Sequence, residues 1–198
     1  MKAEKLNLRD IVVIAFISAV FGVLYLLWVL LGQVVSGIIG PVGGGLMAGF
    51  WILAPIVCMY IIQKPGTALL AEMIAAGTEI MVGSVNAGAV LILGFTQGLG
   101  AELIFALFFY RYFSLPVLML AGMGGTFAAF WTQYFLYGIN QYSFTVAAAM
   151  MGTMLISGAL LAGWAGKSFS DALMKTGALD RFALGKQYRR RTMGKDNL

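Results

Sequence analysis

The stretch GFTQGLGAELIFALFF, Gly94–Phe109, is apolar enough to lie in lipid, yet it carries Gln97 and Glu102 in its middle. An ionised carboxylate at the centre of a bilayer helix costs roughly 2.5–3.5 kcal/mol on insertion scales. A chain tolerates that cost where the group faces protein, a cavity or a ligand. Gly98 and Gly100 lie between the two polar residues. Without side chains there, a neighbouring helix or a ligand can approach the backbone closely. The stretch reads as one wall of a small-molecule site inside a membrane protein.

Composition points the same way. Of 198 residues, 61% are hydrophobic and 11% charged, whereas a soluble domain is nearer a quarter charged. So much apolar surface cannot hide in one globular core, and the solvent must be lipid. Crossing the hydrocarbon takes about 20 apolar residues per helix. The length therefore accommodates six crossings in a single membrane domain, with no soluble domain. The one cysteine, Cys58, lies in an apolar run and reads as packing. The chain has no histidine, which removes the commonest metal ligand and general base. No metal or cofactor site is expected.

The spans are placed at 11–31, 46–62, 65–82, 88–110, 115–137 and 144–166, followed by a charged tail over 167–198. Ile11–Leu31 is longer than a secretory signal's apolar region and reads as a retained helix. Residues 32–45, GQVVSGIIGPVGGG, form the longest connection, glycine-rich and uncharged, and read as a loop or lid folded back on the protein. Gln63–Gly66 is a tight turn in which Pro65 opens the next helix. Ala15, Ala19 and Gly22 make a smooth face on the first span, and Gly158, Ala162 and Gly166 another on the sixth.

Every Lys and Arg lies in the N-terminal segment, at Lys64, at Arg111 or in the tail, while the loops at 32–45, 83–87 and 138–143 have none. With six spans, all the basic segments fall on one side. Positive residues mark the cytoplasm, so both termini are expected inside. The basic tail then meets anionic lipid or sets topology, and nucleic acid is not expected as a partner.

Glu72, Glu79 and Glu102 are the only charged residues within the spans, and no Lys or Arg accompanies them. Three routes offset their cost: a positive ligand, protonation with interhelical hydrogen bonding, or exposure to water. The second constellation is Trp131, Tyr134 and Tyr137 on the fifth span, with Gln133 and, one turn beyond, Asn140. These residues read either as an interfacial aromatic belt or as a stacking site for flat rings and cations. Carboxylates with aromatics on the outer side point to a small, flat, cationic or amine-bearing ligand.

Two other readings fail. Gly166-Lys167-Ser168 ends a phosphate-loop pattern, but Leu161 stands where its first glycine belongs and no strand precedes it. An intramembrane protease would need a histidine or paired aspartates in the spans, and neither is present. The alternative from a different class is a stand-alone secondary transporter of an organic cation using an intramembrane Glu as its proton site.

The runs KPGTALLAEM (Lys64–Met73), GSVNAG (Gly83–Gly88) and QGLGAELIFAL (Gln97–Leu107), in this order of elements, resemble the YkoE family over nearly the whole chain. Its members are S-components, the substrate-binding membrane subunits of energy-coupling factor (ECF) transporters. The resemblance implies an all-α, six-helix S-component that captures thiamine or its hydroxymethylpyrimidine precursor. It further implies a separate transmembrane coupling subunit and ATPase subunits, so that this chain is not itself an enzyme. Gln97, Glu102 and Glu72 match the family's motifs, and Ala15-x-x-x-Ala19 matches its small-residue docking motif, to which Gly22 adds. Within this frame Glu102 is expected at the aminopyrimidine, Gln97 beside it and Glu79 nearer the thiazolium. Trp131, Tyr134 and Tyr137 are expected to stack. Val85 and Asn86 stand where the family often carries an aromatic.

Overall fold

The computed structural model describes residues 5–193, with side chains described through Arg189. Lys2 and the side chains of Arg190 and Arg191 lie outside the described residues. The described chain is all helix, turn and loop.

Helix α1 (Leu8–Gly44) opens with a reciprocal cap: the Asn7 side chain accepts from the Asp10 N–H, and the Asp10 carboxylate accepts from the Asn7 N–H. It breaks at Gly40, whose φ of 73° no other residue type adopts readily. Pro41 then restarts the helix. The chain reverses there. The Trp28 indole N–H donates to the Met47 carbonyl at 3.0 Å, and the Trp28 and Phe50 rings stack at 4.1 Å. The connection expected as a loop over 32–45 is thus a helical hairpin. The reason is the solvent: apolar backbone at membrane depth must satisfy its own hydrogen bonds, and only a helix does so within one segment.

The return arm runs through a 3₁₀ stretch (Gly45–Ile52) into α2 (Leu53–Ile62), in which every residue is buried. LAPIVCMYII is apolar on all sides, so α2 forms the central helix of the bundle. Around it stand α3 (Thr67–Val82), α4 (Ala87–Leu107) and α5 (Leu115–Leu136). The sixth pass is α6 (Phe144–Ser157), a π-helical stretch (Gly158–Ala165) and α7 (Gly166–Lys175). Helix α8 (Ala183–Met193) follows. Counting the two arms of the hairpin separately, six passes result. Taken by length and apolarity alone, four segments among the described residues are long enough to span. The hairpin there counts as one, and the 16-residue α3 is shorter and carries two carboxyls. Helix α4, at 21 residues, is about 31 Å long, enough to cross.

The glycines of Gly94–Phe109 work as close-approach points on both sides of α4. A Cβ on Gly98 would lie 2.9 Å from the Glu72 Cβ of α3, and one on Gly100 would lie 2.4 Å from the Gly124 carbonyl oxygen of α5. Gly158 and Ala162 likewise meet Gly122 of α5. Gly22 also turns inward, where a Cβ would sit 2.4 Å from the Ala75 carbonyl oxygen. It is therefore buried against α3 and does not extend the outer face of Ala15 and Ala19, which are half-buried. Gly122→Val would press a side chain to 2.1 Å from the Gly158 carbonyl oxygen. It is expected to destabilise the fold by about 1–3 kcal/mol, read as a lowered melting temperature in detergent.

The basic segments gather at one end. Arg9, Lys64, Arg111, Arg181 and Lys186 all line one cavity there, which we call the terminal end. The far end carries the Gly40 reversal and the loops after α3 and α5.

Candidate functional site

A cavity of about 560 Å³ opens at the far end, within the usual range for a small-molecule site. Its walls come from both arms of the hairpin, α3, α4, α5 and α6. Glu72 and Glu79 of α3 both line it. Seven residues apart, they share a helix face and stand about 10 Å apart along the axis. Gln97 joins them from α4, and all three are buried among the protein. The side chains of Glu79 and Gln97 make no hydrogen bond among the described residues, so their polar atoms are available to an occupant of the cavity. Among the described residues, no Lys or Arg lines it.

Glu72 has one hydrogen-bond partner among the described residues. The Tyr25 hydroxyl donates to its Oε2 at 3.4 Å and accepts from the Ala54 N–H at 3.0 Å. Ala54 lies in the first turn of α2, where backbone N–H groups lack intrahelical acceptors. Tyr25, 1% exposed, thus ties α1, the start of α2 and the floor carboxyl together. Tyr25→Phe leaves the Ala54 N–H without its acceptor. It is expected to cost about 1–3 kcal/mol of stability, measured by thermal unfolding, with a smaller loss of ligand affinity.

Of the residues expected from sequence, the structure brings Glu72, Glu79, Gln97 and Tyr137 to this cavity. Glu102 is elsewhere. It reaches from α4 to the start of α3, where its carboxylate accepts from the N–H groups of Gly66 at 2.6 Å, Ala68 at 2.8 Å and Leu69 at 3.2 Å. It caps a helix N-terminus, where negative charge is favoured and orphan donors need acceptors. Its place on α4 explains this: Gln97 and Glu102 are five residues apart, so they point in different directions at different depths.

Trp131, Tyr134 and Asn140 do not line the cavity either. Gln133 in the last turn of α5 and Tyr137 at its C-terminal cap are four apart and face it together. Trp131 is turned about 200° from Gln133 and is 42% exposed. It packs with Phe127, Phe130, Tyr134 and Phe135 in an aromatic cluster. Asn140 lies past the helix end, exposed in the 139–141 turn.

Sequence reasoning missed Trp51, Gln33, Ser36 and Asn86, all of which line the cavity. Gln33 and Ser36 were hidden by the reading of 32–45 as a loop. As polar residues three apart, they would have marked one face of a helix. Trp51 carried no signal apart from being a lone indole in an apolar span. Among the described residues, no group of three His, Cys, Asp or Glu is placed to hold a metal ion.

Comparison with known proteins agrees with this architecture. A family described as "ABC-type cobalt transport system, permease component" matches residues 9–128. YkoE of Bacillus subtilis (strain 168), named for HMP/thiamine permease, is 42% identical over 191 residues, covering 96% of this chain and 95% of that one. A solved crystal structure of an S-component of an ECF transporter superposes with a TM-score of 0.93 at 40% identity, covering 98% of this chain and 99% of that one. Length, fold and sequence thus coincide from end to end, and the chain belongs to the YkoE family of ECF-transporter S-components, the substrate-binding membrane subunits of these importers.

Proposed function

We propose that the far-end cavity captures thiamine or its hydroxymethylpyrimidine portion. The observation that carries this reading is the convergence of two buried carboxyls, Glu72 and Glu79, and the buried Gln97 amide on a cavity with no basic side chain among its described lining residues. Buried carboxylates without protein cations call for a positive or proton-donating occupant. An aminopyrimidine offers an exocyclic amine to a carboxylate and a donor–acceptor edge to an amide. A thiazolium offers the positive charge. Glu72 and Gln97 suit the pyrimidine edge, Glu79 the cation, and Trp51 and Tyr137 the flat faces of the rings. The name of the B. subtilis relative supports the ligand class. Cobalt, named in the family description, would need a closer donor set than these two carboxyls, about 10 Å apart along α3, and side-chain amides.

The terminal end, with its gathered Lys and Arg, is read as cytoplasmic. The cavity then opens outward, and capture precedes release to a coupling subunit driven by ATPase subunits. Ala15 and Ala19 on α1 are the reading for the docking face. A bulky residue at either is expected to impair complex formation and uptake while sparing binding.

The direct test is calorimetric titration of the purified protein in detergent with thiamine, with hydroxymethylpyrimidine as competitor. Saturable binding without ATP or an ion gradient is expected. Folded protein that binds neither compound overturns the assignment.

A further inference from the structure

We propose that the cavity at the terminal end binds a phosphate-bearing anion, supplied as the headgroup of an acidic phospholipid or as free phosphate. This cavity, about 610 Å³, lies between the start of α1, the 63–66 turn, the end of α4 and the segment entering α8. Arg9, Arg111, Arg181 and Lys186 converge on it from four separate parts of the chain. None of these four has an ion-pair partner among the described residues. Asp10, the one carboxylate in the lining among the described residues, is already held by Lys64 at 2.9 Å. These four side chains are exposed, so solvent screens their repulsion, and they are open to an anion whose phosphate oxygens match guanidinium forks.

Two further observations describe the walls of this cavity. Among the described residues, Gln63, Phe109 and Tyr110 are the non-glycine residues with positive φ, at 58°, 53° and 54°. All three line this cavity. Gln63 caps the end of α2, and Phe109 and Tyr110 follow the end of α4, so left-handed backbone ends two helices at the cavity wall. Second, α8 is fastened over the cavity: the Gln187 side-chain amide donates to the Gln63 side-chain oxygen at 2.7 Å. Ala183, its first residue, is in the lining, so the positive end of that helix is at the wall. Phe109, 76% exposed, adds an apolar rim against which acyl chains can lie.

The test titrates the full chain in a neutral detergent with dihexanoyl-phosphatidylglycerol and, separately, with inorganic phosphate. Dihexanoyl-phosphatidylcholine is the zwitterionic control. One saturable site for phosphatidylglycerol is expected, tighter than for the control. Arg111→Gln/Arg181→Gln should weaken it about 30-fold, the effect of two near-surface basic residues. Competition by inorganic phosphate assigns recognition to phosphate itself; binding without competition assigns it to the lipid headgroup. Thiamine binding by the same variant at the far end serves as the folding control and reads the other cavity separately. The proposal falls if neither phosphatidylglycerol nor phosphate binds, if the folded double variant binds as tightly as the original, or if a soluble glutamate-rich peptide binds and neither phosphate compound does.

Discussion

Replacing Glu102 with alanine is expected to cost the fold about 3–5 kcal/mol, because three hydrogen bonds to one carboxylate disappear together and their donors are left at a buried helix start. Among the described residues, the N–H groups of Gly66, Ala68 and Leu69 make no other hydrogen bond. Glu102→Gln keeps one acceptor oxygen but presents an NH₂ group to the remaining donors, so it should fall between alanine and the original. The measurement is thermal or denaturant unfolding in detergent. Paired with it, ligand affinity of the folded fraction should stay within about threefold, since Glu102 does not line the far-end cavity. A Glu102→Gln protein of normal stability and much weakened binding would reverse the assignment and return this residue to the ligand.

Glu79→Gln is expected to weaken thiamine binding by about 2–3 kcal/mol, some 30–150-fold, as a charge-assisted contact becomes a neutral one. The same change should affect neutral hydroxymethylpyrimidine far less. Glu72→Gln should weaken both compounds, because the floor carboxyl is assigned to the ring that they share. Calorimetry on the two variants with both compounds gives four affinities, and their pattern separates charge from hydrogen bonding. Equal losses for both compounds in Glu79→Gln would contradict its placement at the cation. Neither substitution should lower stability much. Glu79 makes no side-chain hydrogen bond among the described residues, and in Glu72→Gln the new amide oxygen can still accept from the Tyr25 hydroxyl.

Much of the architecture was legible in the amino-acid order alone. Apolar runs of spanning length, interrupted by basic turns on one side and uncharged turns on the other, require a helical membrane bundle. The glycines of Gly94–Phe109 announced close helix contacts, and the structure shows them at Gly98 and Gly100. The sequence also identified three carboxyls that needed an explanation in lipid. What it could not determine was which explanation applied to each, because that depends on what stands opposite. Glu102 faces the open end of α3, so backbone amides stabilise it. Glu79 faces the cavity, and Glu72 faces it with Tyr25 behind. The same holds for α5, where a shift of two residues turns a side chain from the cavity to the outer surface: Gln133 is in and Trp131 is out. The hairpin at 32–45 shows the remaining difference. Glycine-rich sequence in water is a loop, but in contact with lipid the unpaired backbone is too costly, so the segment stays helical and a single positive φ at Gly40 makes the turn. Composition and spacing thus settled the solvent, the helices and the residues in need of partners. Only the packing of one helix against another assigned each partner, because hydrogen-bond acceptors and cavities are formed between segments distant in the chain.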